Sequence, residues 1–308
     1  MDLQAAYTRC EEITRAEAKN FAYGIRLLPA EKRQAMSALY AFARRLDDIG
    51  DGGSPVEAKL ALLAQARRDL AAVAAGQAHP ADPVLVALEH AARTYPVPLA
   101  AFGELIDGCE MDCRTSTYAT FDELAVYCRC VAGSIGRLSL GVFGTRRPGA
   151  LAEAERLADT LGLALQVTNI LRDIVEDRTA MGRVYLPAED LARFGCLSDA
   201  SGPEKAMAEL VRFEASRARA FYDEGLGLLG LLDYRSRACV AAMAGIYRRL
   251  LARIEAQPAA VLSRRVSLPA WEKAWVAARS LAGAGAASGA GAASGAGAAS
   301  GAGQGSGL

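Results

Sequence analysis

Asp47-Asp48-Ile-Gly-Asp51 and Asp173-Ile-Val-Glu176-Asp177 are acidic clusters more than a hundred residues apart in a chain of 308. Each places aspartates four residues apart, so on a helix Asp47 with Asp51, and Asp173 with Asp177, present converging carboxylates. Like charges at that spacing repel, and the clusters ask for a common counter-charge. Magnesium meets that demand. A hard octahedral cation takes carboxylates from the protein and leaves positions for water and substrate phosphates. The chemistry expected is therefore a magnesium diphosphate site between two acidic faces.

The residues around the aspartates extend this reading. Tyr40, Arg44, Asp47 and Asp51 fall at offsets of 0, 4, 7 and 11, one stripe among Met36, Leu39, Phe42 and Leu46. The planar fork of Arg44 suits diphosphate oxygens, although a solvated face with an Arg/Asp pair would look the same. Gln166, Asn169, Asp173 and Asp177 repeat the arrangement at 0, 3, 7 and 11 on an otherwise apolar helix. Buried polar groups need partners, and a hydrated metal diphosphate would supply them. Asn169 offers a neutral oxygen to magnesium, Gln166 is better placed to touch substrate, and Arg172 and Arg178 flank the cluster. Between the two stripes, Ala132, Gly133, Ser134 and Gly136 are small. Glycine in a helix costs about 1 kcal/mol against alanine, so close helix packing or a substrate channel must account for them. Tyr127, one turn earlier, could face a carbocation through its ring or be a core tyrosine.

The elements that must position these groups read as all-α. Strand signals are nearly absent, and helical period fills 4–18, 31–48, 55–75, 83–93, 98–110, 121–143, 150–177, 188–193, 203–232 and 235–256. Breakers fall between them at Pro29, Gly50 to Pro55, Pro80, Pro96 with Pro98, Gly144 to Gly149 and Ser198 to Pro203. A single all-α domain is expected over 1–282. From 283 to 308 Gly, Ala and Ser dominate, offer too little side chain for a core, and read as a disordered tail. The 35 basic and 35 acidic residues cancel, leaving no footprint for nucleic acid. Seven cysteines without framework spacing imply a reducing compartment. No leader or membrane-spanning run is evident, so a cytoplasmic protein is expected.

Taken together, these segments resemble the squalene and phytoene synthase family, the head-to-head prenyl transferases. The resemblance rests on Asn20-Phe21-Ala-Tyr-Gly-Ile-Arg-Leu-Leu-Pro29, the Ala38 to Asp51 stretch, Leu105-Ile-Asp-Gly-Cys-Glu-Met-Asp112, Tyr127 to Gly136, Gln166 to Asp177 and Gly182-Arg-Val-Tyr-Leu-Pro187. It implies an isoprenoid synthase helical bundle around a central cavity, with several magnesium ions held by Asp47, Asp48, Asp51, Asn169, Asp173 and Asp177. It further implies diphosphate contacts from Tyr40, Arg44, Gln166, Arg172, Tyr247 and Arg265, and assistance from Tyr127. Where many relatives carry hydroxyl residues before the phenylalanine, this chain has Lys19-Asn20, which become the replacements.

Among family members, the Asn20 to Pro29 and Ser37 to Asp51 segments look most like bacterial presqualene diphosphate synthases of the hopanoid pathway. That resemblance implies condensation of two farnesyl diphosphates to presqualene diphosphate, with NADPH not expected. Phytoene synthase, acting on geranylgeranyl diphosphate, is the alternative. A non-catalytic helical scaffold would predict decay of the aspartates, and both clusters are intact. A lipid product leaves room for peripheral contact with the inner face of a membrane and with downstream pathway enzymes.

Overall fold

The computed structural model describes the backbone of residues 2–296 and the side chains of 2–283. Its helices are α1 (Leu3–Glu17), α2 (Phe21–Ile25), α3 (Ala30–Asp51), α4 (Val56–Ala74), α5 (Pro83–Thr94), α6 (Ala100–Arg114), α7 (Phe121–Cys128), α8 (Ser134–Phe143), α9 (Leu151–Glu176), α10 (Ala188–Arg193), α11 (Glu204–Gly225), α12 (Tyr234–Ala256) and α13 (Ala270–Ala296). No strand forms among the described residues; an isolated parallel bridge joins Thr117 to Val184. The all-α expectation holds.

Helix starts follow local chemistry. Asp82 accepts from the Val84 and Leu85 amides ahead of α5, whose first residue is Pro83, and Thr120 accepts from the Glu123 amide ahead of α7. The core runs through the whole bundle; Phe42 of α3 meets Phe102 of α6 edge-on, with centroids 4.9 Å apart and both rings fully buried. Helix α6 packs on α3 and on the Arg129–Gly133 turn, and that turn packs on α9. The two acidic helices are thus held on either side of α6 and its neighbours.

The structure departs from the sequence reading in five places. The expected 121–143 helix carries a π-helical turn at Arg129–Gly133, and the one ending near 177 continues into another at Asp177–Met181. Helix α11 stops at Gly225, where a Cβ would sit 2.8 Å from the Leu161 backbone, and Leu226–Leu231 follows as a 3₁₀ turn. Helix α2 was hidden by its Gly24, whose missing Cβ admits Met243 and the Cys239 carbonyl. Helix α13 runs through position 282, where the sequence reading ends the domain, and 297–308 of the tail lie outside the described residues. No described helix is long and apolar enough to cross a membrane.

Candidate active site

On α3 the stripe forms as its spacing requires. Asp47 has no hydrogen-bond or ion-pair partner among the described residues. Its surface is open to solvent, yet protein walls surround it. Poor solvation first, and Asp51 second, push its carboxyl up to about 7, against the pull of Arg44. Asp51 accepts from Arg183 at 3.0 Å. Burial raises the Tyr40 phenol to about 12, with Arg44, Asp47 and Tyr247 nearby.

Asp48 does not join its neighbour. Successive helical residues project about 100° apart, and Asp48 pairs with Arg44 at 2.6 Å in a separate groove of about 580 Å³. Arg9, Glu12 and Glu17 of α1, Leu62 of α4 and Val84 of α5 help to line that groove. Arg44 also lies 3.9 Å from Glu17. The structure therefore separates Asp48 from the Asp47 and Asp51 pair with which the resemblance grouped it.

On α9 the second face is already engaged. Asp173 accepts from Arg172 Nε at 2.8 Å and pairs with Arg265 Nε at 2.9 Å, while Arg265 also reaches Glu176 at 3.3 Å. Burial works against the Arg172 charge, but the hydrogen bond and charge of Asp173 hold its pKa above the ordinary range. Burial, then Asp173 and Glu176, raise Asp177 to about 7. The Asn169 amide donates to Gln166 at 3.3 Å, whereas its buried Oδ1 has no partner. Tyr247 is buried beside Arg172 and stacks on Phe21 at 5.6 Å. Arg178 turns away to the Ala200 carbonyl at 3.3 Å, so only Arg172 of the flanking pair faces the site.

Between the faces lies a cluster of which sequence reasoning assigned only Tyr127. The π turn after Asp177 ends at Gly182, whose φ of 65° is left-handed and costs glycine little. The chain then reverses, so the Arg183 amide donates to the Asp177 carbonyl at 3.0 Å and its guanidinium reaches Asp51 and the Gly50 carbonyl at 3.1 Å. Arg183 is buried and lies 3.8 Å from Asp112. Asp112 accepts from Tyr127 at 2.9 Å and Tyr185 at 2.7 Å, and those rings stack at 5.2 Å with Tyr118 beside them. Burial drives the Tyr127 phenol well above its usual range, so it is a hydrogen-bond donor and a poor base. Asp112, Arg183 and Tyr185 all sit in segments that carried the family resemblance, and that was the available signal. Lys273 of α13 was also missed; burial, then Arg172 and Lys19, lower its amine pKa, which places three cations together.

The small residues are explained by packing. A Cβ on Gly136 would lie 2.8 Å from the Ala158 carbonyl, and one on Gly162 2.8 Å from the backbone of Ala132 and Gly133. These close approaches are between α9 and the Arg129–Phe143 segment, with no channel needed. The cysteines are free.

No described trio of Asp, Glu, His or Cys side chains closes into a metal cage. The donors nonetheless suit magnesium, which binds through one or two carboxylates and completes its shell with water and phosphate. The orphaned Asn169 Oδ1 and the unpaired Asp47 are oxygen donors of that kind.

A helical bundle with two aspartate faces and an arginine-rich rim defines an isoprenoid synthase type of protein. The squalene/phytoene synthase family model matches residues 14–272, and the chain belongs to that family. A phytoene synthase of Mycobacterium tuberculosis is 50% identical over 287 residues, 91% of this chain and 92% of the relative. A solved dehydrosqualene synthase superposes with a TM-score of 0.81 at 31% identity, covering 90% of this chain and 96% of its own. The squalene synthase HpnC of Alicyclobacillus acidocaldarius gives 0.75 at 32% identity, over 83% and 95%. The half-identical phytoene synthase overturns the farnesyl-to-presqualene expectation and the hopanoid assignment with it. The segments behind that expectation include the charged stripe of α3, and a charged stripe holds no information on the depth of an apolar pocket.

Proposed function

We propose that this chain condenses two geranylgeranyl diphosphates head-to-head to phytoene, by way of a cyclopropylcarbinyl diphosphate. The observation that carries this reading is the 50% identity, across 91% of the chain, to a protein named phytoene synthase. Atoms balance without a redox partner: two diphosphates and two protons leave, and no hydride is required.

Magnesium, when bound, would supply positive charge to a departing diphosphate. Asp47 and Asp51 on one side, and Asn169, Asp173 and Asp177 on the other, are the residues proposed to hold it. Arg172, Arg265, Lys273 and Lys19 gather the phosphate oxygens, with Tyr247 donating beside Arg172 and Gln166 touching the substrate. Once phosphate arrives, Arg172 and Arg265 exchange the Asp173 carboxylate for it, which frees that carboxylate for the cation. Arg183 fixes Asp51 and anchors the Asp177 turn, so the two faces keep their separation. Arg44, engaged with Asp48, sets the electrostatics of α3 from behind. Tyr127 and Tyr185 present ring faces to developing cationic charge, and Asp112 holds both hydroxyls in place.

The test is product identification. Purified protein is incubated with magnesium and with farnesyl or geranylgeranyl diphosphate, without NADPH, and extracts are read by mass spectrometry. Phytoene from geranylgeranyl diphosphate, formed faster than any farnesyl product, is expected. A thirty-carbon product as the favoured outcome defeats the assignment.

A further inference from the structure

We propose that the outward side of α13, carrying Trp271 and Trp275 beside Arg248 and Arg279, docks onto the surface of an anionic lipid bilayer. Helix α13 has two unlike sides. Glu272, Val276 and Ala277 are buried, with Glu272 reaching Arg249 at 2.9 Å and Arg253 at 2.5 Å on α12. Trp271, Trp275 and Arg279 recur every four residues on the other side, and the tryptophans are 71% and 45% exposed. Exposed tryptophans one turn apart leave apolar ring surface in water unless something covers them, and the amphipathic indole is suited to the headgroup layer of a membrane.

The charge around them selects the covering. The Arg249 and Arg279 guanidinium groups lie 4.6 and 5.3 Å from the Trp275 ring. A groove of about 530 Å³ beside it is lined by Arg219, Arg248, Arg249 and Arg279 against Glu255 as the sole acid. Arg249 is spent on Glu272 and Arg219 on Glu255, whereas Arg248 and Arg279 make no ion pair among the described residues. Unpaired arginines next to interfacial tryptophans complement negative headgroups. Prenyl chains of either length partition into bilayers, and the inference stands apart from the choice of substrate.

The chain has no tryptophan besides these two, so its tryptophan emission, excited selectively over its ten tyrosines, reads this face alone. Vesicles of phosphatidylglycerol and phosphatidylcholine should shift the full-length protein's emission to the blue, shield it from acrylamide and carry it into the pellet. Pure phosphatidylcholine vesicles should bind at least tenfold more weakly. The Arg248→Glu/Arg279→Glu variant should lose roughly tenfold or more in partitioning, and Trp271→Ala/Trp275→Ala should stay in the supernatant. Both variants should keep wild-type melting and wild-type turnover of detergent-dispersed substrate. Unchanged emission with anionic vesicles, or equal pelleting of the tryptophan variant, overturns the proposal. So does a blue shift that grows with protein concentration in the absence of lipid, which assigns the face to a second copy of this chain.

Discussion

On α3, Asp47 has no partner and Asp51 shares Arg183 with Asp112, whereas on α9 Asp173 is gripped by Arg172 and Arg265 and left 13% exposed. The same four-residue spacing thus yields one face with a single arginine, shared with Asp112, and another with two arginines on Asp173. An arginine at a carboxylate is exchangeable when phosphate competes for its fork. Under the proposed function the difference suits the faces to separate tasks: α3 would recruit metal directly, while α9 would store the cations that meet diphosphate and release Asp173 when they leave.

The largest effect that sharpens this comparison lies within α3 itself. Asp47→Asn should lower magnesium-dependent turnover by roughly a thousandfold, in the range of losing a principal electrostatic group. Asp48→Asn, one residue on but in the outer groove with Arg44, should cost less than about fivefold. Equal losses in steady-state assays would mean that both carboxylates face the reaction.

The strut between the faces comes next. Arg183→Met leaves the buried Asp112 without its cation and the Gly50 carbonyl without its donor. Removing one partner from such a group typically costs about 3 kcal/mol, to be read by urea denaturation. A loss below about 1 kcal/mol would show that the faces are set by helix packing alone. Packing itself is tested by Gly162→Ala, where the new methyl would sit 2.8 Å from backbone that cannot yield as a side chain can. A loss of roughly 2 kcal/mol is expected.

These contrasts mark what the sequence could and could not disclose. Spacing announced the stripes on α3 and α9, because helical period depends only on residue numbers, and it put Asp47 with Asp51 and Asn169 with Asp173 and Asp177. The resemblance grouped Asp48 with Asp47 although helical period already turns them about 100° apart; what spacing could not show is the groove that α1, α4 and α5 build around Asp48. Arg183 and Asp112 escaped for a different reason. Their meeting depends on a π turn and a left-handed Gly182, local backbone departures that a period of 3.6 does not register. Lys273 escaped because it comes from a helix the reading did not include. Substrate length was illegible in charged motifs, which say nothing of the depth of an apolar pocket.

The smallest expected effect concerns pH in metal-free protein. Asp47 and Asp177 titrate at about 7 when folded, above the ordinary carboxylate range near 4 expected for the unfolded chain. The folded state therefore binds extra protons between those values, and these groups make the protein most stable below about 4, with stability lost as pH rises toward 7. Asp47→Asn removes one such penalty. Its melting temperature should match wild type near pH 4 and exceed it by a few degrees at pH 8; an equal difference at both values would remove the carboxyl from the explanation.

The unlike faces are tested most directly by inorganic pyrophosphate binding, followed by calorimetry with and without magnesium in wild type and Asp47→Asn. If α9 supplies arginines and α3 recruits the cation, pyrophosphate should bind weakly without metal and at least tenfold more tightly with it, and Asp47→Asn should keep the weak binding while losing the gain. Binding of equal strength with and without magnesium in the wild-type protein would contradict the division of labour between α3 and α9.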